Sequence, residues 1–248
     1  MGLSAGKNLA GIFPPEDQRR RLQLPRTLVI SFPRSGLNWL RHCTEHFSRR
    51  RTPGRTQIVS EGPTVFDRAH DVTRPNKRDF VSLYARDGAE IYQKVALLLR
   101  DPRDCFISHY LERRGFSFRK GLAAFEVFAT NIAEFDRLRR PEKAVFYFED
   151  YANQEEGTFA FLRFIGLEPT AQPYDLGALI ESSREWYRKM HGPMTNKRRP
   201  ALTVAQQAAI RKMLQPRLGT KFQQYLGRYY RSGVKTSTSG IPAPERET

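Results

Sequence analysis

Apolar positions follow two rhythms along this chain. From Thr27 to Phe32 they run almost without interruption, and the same continuity returns at Val95–Leu99 and Ala144–Phe148. Short continuous apolar runs are what parallel strands show when both of their faces are covered. Elsewhere the spacing widens to three and four. Trp39, Leu40, Cys43 and Phe47 form one stripe after the first run, which predicts a helix with a single buried face. Further helices are predicted from Asp101 to Gly115, Phe118 to Arg140 and Asn153 to Ile165, and over roughly 174–190, 203–215 and 218–230. Asp101-Pro102-Arg103-Asp104 sets a cap, a first-turn proline and an acidic residue in the order that opens a helix. Gly115 and Gly166 stand where helices stop. The stretch from Arg49 to about Arg78 is polar and proline-spotted, with one short strand predicted at Gln57–Ser60.

Strands alternating with helices predict an α/β fold of three layers, a central parallel sheet with helices on both faces. A chain of 248 residues is commonly one domain in such folds. That domain is placed at 26–231, after an N-terminal arm over 1–25 that carries Arg19–Arg21. The segment 232–248, rich in Ser, Thr, Pro and Gly, reads as a disordered tail. No internal repeat is visible.

Composition narrows the picture. Lys and Arg number 42 against 26 Asp and Glu, a formal charge of +16, which suits nucleic acid, an acidic membrane surface or a polyanionic small ligand as well as a plainly solvated basic surface. Two cysteines, Cys43 and Cys105, each sit inside an apolar helical pattern, so a reducing compartment is expected rather than a disulfide framework. No stretch reaches the roughly 20 apolar residues of a membrane span or has the form of a secretory leader. The expectation is a soluble, cytoplasmic protein.

In open parallel sheets ligands bind beyond the carboxyl ends of the strands, so the residues after Phe32, Leu99 and Phe148 are the ones to inspect. After the first strand, Phe32-Pro33-Arg34-Ser35-Gly36 can turn main-chain N–H groups outward at a helix N-terminus, where partial positive charge favours an anion. Arg34 adds a forked cation, and Ser35 and Asn38 add neutral donors. An ordinary Pro/Gly strand-to-helix turn would look the same. The Gly-Lys-Ser/Thr ending of a nucleotide-triphosphate loop is absent, and Leu99 is followed by Arg100 rather than an acid that would hold magnesium. Arg100 ends an otherwise apolar strand, a poor place for a cation without an anionic partner. Ser108 lies eight residues further on, whereas Asp101 and Asp104 are accounted for as helix-start residues.

The segments "SFPRSGLNWL", "LLLRDPRDCFISHY" and "VFYFEDY…GTFAFLRFIGLE" together resemble the sulfotransferases that use 3′-phosphoadenosine 5′-phosphosulfate (PAPS). The likeness runs from about Thr27 to Ile165, and more faintly to Thr203. It implies a P-loop-like fold whose first loop, Arg34, Ser35, Gly36, Leu37 and Asn38, cradles the 5′-phosphosulfate, with Arg34 in the place of the usual lysine. Leu37 and Asn38 depart from the commoner Thr-Thr pair. By the same likeness Trp39 stacks on adenine, while Arg100 and Ser108 hold the 3′-phosphate. Phe148 stands where a tyrosine often precedes the acidic pair. In "ESSREWYRKMHGPMTNKRRP", Ser182 matches an adenine-contacting position, Arg184 stands where a stacking aromatic often occurs, and Lys197 and Arg198 stand in the place of the basic 3′-phosphate loop without its Arg-Lys-Gly pattern and following tryptophan, as a solvated basic loop also would. The expected cofactor is PAPS, leaving as adenosine 3′,5′-bisphosphate, with no metal. The expected partner is a small-molecule acceptor bearing a hydroxyl or amine, with neither nucleic acid nor membrane involved.

Sulfuryl transfer needs a group to take the acceptor's proton, and histidine suits that step near neutral pH. Of the five histidines, His70 lies where the resembled family keeps its catalytic histidine, with Arg68 as an auxiliary cation. His42, two turns into the first helix, is the rival. His42 and His46 are four apart, but "HCTEH" lacks the glutamate placement of a zinc-hydrolase helix, and Glu45 is expected to face solvent. Two other readings stay open: a P-loop-like small-molecule kinase, and a basic nucleic-acid-binding protein using Arg19–Arg21 and Arg49–Arg51. Acceptor choice is expected to lie in 49–92, 111–122 and 186–200.

Overall fold

A computed structural model describes residues 24–54, 58–74, 91–112, 116–152, 154–169, 175–191 and 200–231. Four strands, β1 (Thr27–Ser31), β2 (Asp67–Ala69), β3 (Lys94–Leu99) and β4 (Glu142–Tyr147), form one sheet in the order β2-β1-β3-β4, every pair parallel. Register is set by Ile30, which faces Ala69 on one side and Leu97 on the other.

Alternation along the strands separates two cores. Leu28, Ile30, Val95, Leu97 and Leu99 point to one face, against Phe106, Phe128, Ile132, Phe135, Leu214 and Leu226. Val29, Ala96 and Leu98 point to the other, against Leu40, Cys43, Phe47, Phe161 and Ile165. The first face is covered by α2 (Pro102–Phe106), α4 (Glu126–Arg137), α8 (Val204–Leu218) and α9 (Lys221–Tyr230), and the second by α1 (Leu37–Ser48), α6 (Glu155–Phe164) and α7 (Leu176–His191), joined by Leu179. The sheet with helices on both faces is the three-layer α/β arrangement that the alternating pattern predicts.

Differences from the sequence reading have local causes. The predicted helix from Asp101 begins as expected: the Asp101 side chain accepts from Arg103 N–H, with Pro102 in the first turn. After Phe106, however, it widens into a π-helical turn over Ile107–Leu111, and Gly115 lies outside the described residues. The stretch from Phe118 divides at Phe125 into α3 (Phe118–Ala124) and α4, which stops at Arg137 when Leu138 turns extended. Phe148 belongs to the short helix α5 (Phe148–Tyr151) rather than to β4. Ile58–Ser60 form no strand, because the N–H groups of Ile58 and Val59 donate to the Glu45 carboxylate instead of to a ladder. Strand β2 carries no apolar run and was not foreseen.

No helix among the described residues is long and apolar enough to cross a membrane. Residues 1–23 of the N-terminal arm and the segment 232–248 lie outside the described residues.

Candidate active site

Strand order creates the site. From β1 the chain crosses through α1 to β2 on one side, whereas from β3 it crosses through helices on the opposite face to β4 on the other. The carboxyl ends of β1 and β3 are therefore a switch point, the place where open parallel sheets hold their ligands. The turn Phe32–Gly36 and Arg100 both lie there.

The turn is tightly constrained. Ser35 N–H donates to the Phe32 carbonyl at 3.1 Å, and Arg34 and Gly36 both take positive φ, 74° and 89°. Gly36 also needs its missing side chain: a Cβ there would stand 2.2 Å from Cδ2 of Phe148. From below, the Tyr151 hydroxyl donates to the Ser35 carbonyl at 2.8 Å, and Ser35 Oγ lies 3.6 Å from Cys105 Sγ. Burial pushes the Cys105 thiol up to about 12, so it stands beside the turn as a neutral group. Arg34 remains exposed and Ser35 is buried. Gly36 caps α1 with no side-chain hydrogen bond, and no acidic residue occupies the first turn of that helix. An uncapped helix start bearing a positive partial charge suits an anion.

Arg100 reaches this turn. Its Nη1 lies 3.4 Å from the Arg34 carbonyl oxygen, its Nη2 donates to Asp104 Oδ2 at 3.1 Å, and its guanidinium covers the Phe148 ring at 4.5 Å. Burial works against its charge, but the surrounding groups, Asp104 among them, hold its pKa above the ordinary arginine value. It is a cation at every working pH. The sequence pairs Arg100 with the turn across 66 positions, and the fold brings them into contact.

Leu37 turns its side chain into the α1-side core, so only its main chain can serve a ligand. Asn38 is exposed, and its Oδ1 accepts from Arg41 at 3.3 Å. Trp39 is half-buried and stacks on His42, centroids 6.2 Å apart. Ser108, in the π-helical turn, donates to Glu112 at 3.2 Å. Ser182 is exposed on α7, one turn beyond the buried Leu179. Arg184 lies 3.7 Å from Glu181. Lys197 and Arg198 lie outside the described residues.

His70 is the first residue past β2, beside the end of β1. Its Nδ1 is 2.7 Å from the Ser31 carbonyl oxygen and 3.1 Å from Ser31 Oγ. A carbonyl only accepts, so Nδ1 carries the proton, and in the neutral ring the basic nitrogen is Nε2. The rival, His42, is only 1% exposed. Arg68 is buried, its guanidinium packed against Gly54, where an added Cβ would meet Nη2 at 2.5 Å.

Glu45 corrects the expectation of a solvent-facing side chain. It is fully buried, and its carboxylate accepts from the N–H groups of Thr52, Ile58 and Val59 and from the Thr52 hydroxyl. Arg41 joins this network by donating to Thr52 Oγ1 at 2.9 Å. Sequence reasoning also passed over Tyr151, Ser31 and Asn131. For Asn131 a signal existed, since it interrupts the apolar stripe of Phe128, Ile132 and Phe135 with an amide.

The acids near the strand ends are engaged within the protein. Asp101 binds Arg103, with Oδ1 2.9 Å from Nε; Glu149 accepts from Tyr229 at 2.7 Å and from Asp101 N–H at 3.3 Å; Asp150 takes both Arg228 terminal nitrogens at 2.7 Å. Helix α9 thus ties down the rim beyond β4.

No protein-family model matches this chain, and no curated protein matches it in sequence.

Proposed function

We propose that this chain is a PAPS-dependent sulfotransferase with a P-loop-like fold, acting on a hydroxyl or amine of a small-molecule acceptor. The observation that carries the reading is the meeting of two cationic elements at the β1–β3 switch point: the Arg34–Gly36 turn at an uncapped helix start, and Arg100 lying 3.4 Å from it. One anion-binding element would suit any phosphate. Two side by side, with a histidine next to them, suit a ligand carrying phosphate groups at both ends.

The residues present fit that ligand. Gly36 lets the main chain approach closely, and Arg100 supplies a charge that persists at every working pH. The turn N–H groups and Arg34 would hold the 5′-phosphosulfate. Arg100 and Ser108 would hold the 3′-phosphate, with Lys197 and Arg198 assigned to it by resemblance. Trp39 and Ser182 would flank the adenine. When bound, PAPS supplies an activated sulfuryl group joined to a phosphate leaving group. His70 Nε2 takes the proton of the acceptor, its Nδ1–H held by Ser31. Arg34 and the helix start neutralise negative charge growing on the leaving oxygen, an electrostatic contribution available without reorganisation. A kinase would need acids for magnesium at the strand ends, and Asp101, Glu149 and Asp150 are committed to Arg103, Tyr229 and Arg228.

Thermal unfolding with three ligands tests the proposal: adenosine 3′,5′-bisphosphate without metal, ATP with magnesium, and an oligonucleotide. A ligand at 100 times its Kd stabilises by about 2.7 kcal/mol, and each kcal/mol raises the melting temperature of a chain this long by about 2–4 °C. The bisphosphate is expected to stabilise, and transfer of labelled sulfate from PAPS to phenols, alcohols or amines is expected to follow. Stabilisation by ATP with magnesium alone would favour the kinase. Salt-sensitive stabilisation by the oligonucleotide alone would favour nucleic-acid binding.

A further inference from the structure

We infer that Asn131, on the helix α4 that packs over β1 and β3, is the positioning residue for His70. This rests on the reading of His70 as the base.

Strand β2 is only three residues long, and its ladder with β1 ends at Ala69. Past that point the carbonyl of His70 and the N–H of Val72 have left the sheet, in a buried place where unsatisfied main-chain groups are costly. Asn131 serves both. Its Nδ2 donates to the His70 carbonyl at 2.8 Å, and its Oδ1 accepts from Val72 N–H at 3.1 Å. The partners fix the orientation of the amide, since a carbonyl needs the NH2 end and an N–H needs the oxygen. The side chain mimics the next stretch of a β-ladder.

Asn131 is itself immobilised. It is 2% exposed, on the face of α4 that places Phe128, Ala129, Ile132 and Phe135 in the core. An amide in such a stripe forfeits apolar burial, and the two hydrogen bonds are what offset the loss. On the other side, Ser31 holds the ring through Nδ1. His70 is thus gripped twice, by its main chain from α4 and by its ring from β1. The first grip sets where the ring starts, and the second sets which nitrogen is basic. Loss of the first lets the backbone drift and breaks the second.

Asn131→Leu removes both bonds. Asn131→Asp keeps the acceptor for Val72 but sets an oxygen against the His70 carbonyl. Both variants are expected to lower kcat by about 100-fold, the scale of a misplaced catalytic group, with KM for PAPS and the affinity for adenosine 3′,5′-bisphosphate within about twofold of wild type. Rates are referred to sites titrated with the bisphosphate, because a misfolded fraction would also lower the apparent kcat without moving KM. Nitrogen-15 NMR of the imidazole reads the same point without turnover: wild-type His70 is expected as the Nδ1–H tautomer, and the variants as a mixture. A wild-type kcat in both variants, or an unchanged tautomer signal, overturns the inference. If neither variant folds, hydrogen exchange of the wild-type protein decides: the Val72 amide should exchange as slowly as the amides of β1, and rapid exchange overturns it. If the wild-type protein neither binds the bisphosphate nor transfers sulfate, the functional reading falls, and the tautomer comparison still decides whether Asn131 orients His70.

Discussion

The hydroxyl of Tyr151 donates to the carbonyl of Ser35 across 2.8 Å, joining the short helix after β4 to the turn after β1. Burial pushes this phenol well above its ordinary range, so it remains a donor at any pH the protein meets. Tyr151→Phe leaves a buried carbonyl without its partner, a loss of about 1–3 kcal/mol. Denaturant melts should show that loss, and calorimetry should show weaker bisphosphate binding. An unchanged midpoint would mean that another donor reaches Ser35.

Gly36→Ala should be far worse than its single methyl suggests. The φ of 89° is unfavourable for any side chain, and the new Cβ would lie 2.2 Å from Phe148. Backbone strain alone costs about 1–3 kcal/mol, and Phe148 must shift from beneath Arg100. The expected outcome is a lower melting temperature together with loss of bisphosphate binding.

Arg100→Gln tests the proposed 3′-phosphate role of Arg100. A hydrogen bond to a charged group is worth about 1.5–3 kcal/mol, so affinity for adenosine 3′,5′-bisphosphate should fall about 10- to 100-fold. Affinity for adenosine 5′-phosphate should fall much less, because the turn keeps its N–H groups and Arg34 and loses only the 3.4 Å contact from Arg100 to the Arg34 carbonyl. Equal losses for both ligands would remove Arg100 from the 3′-phosphate role.

Glu45→Ala removes the buried acceptor of the Thr52, Ile58 and Val59 N–H groups and of the Thr52 hydroxyl, together with the carboxylate 4.0 Å from Arg41 Nη2. Breaking a buried pair from one side costs about 3–5 kcal/mol. Equilibrium unfolding should show a loss of that size, with Thr52→Val a milder version. A loss below 1 kcal/mol would mean that the network behaves as an exposed pair.

Asp136 gives stability an acid limb. Burial alone would raise its pKa, but the Tyr225 hydroxyl at 2.8 Å and Lys221 at 3.1 Å outweigh that and hold it below the usual value. A carboxyl depressed in the folded state stabilises it above the unfolded-state pKa, and that contribution disappears as pH falls through the folded value. Asp136→Asn should therefore lower stability at neutral pH and flatten its fall below about pH 4. Parallel pH curves for the two proteins would assign the acid sensitivity elsewhere.

Much of this was legible before folding. The cap at Asp101 and the buried stripe of α1 depend on residues within a few positions of one another, and they stand where the pattern places them. Strand β2 was not legible, because Asp67, Arg68 and Ala69 carry no apolar rhythm and become a strand only by pairing with β1. Glu45 reads as a surface acid until the fold brings the N–H groups of Thr52, Ile58 and Val59 to it, and those groups require an acceptor. Asn131 interrupts an apolar stripe, and only the end of a neighbouring strand explains it.

The sequence by itself determined the local grammar: parallel strands, the helices between them, and a turn whose glycine and arginine favour an anion. Those features rest on sterics and hydrogen bonds between near neighbours. Only the tertiary structure decided that β1 lies between β2 and β3. That order brings His70 to Ser31 across 39 positions, Arg100 to Arg34 across 66 and Tyr151 to Ser35 across 116. Contacts between such distant positions form only when burial of both sheet faces outweighs the entropy of closing the chain. That balance belongs to the whole molecule and to no single segment of it.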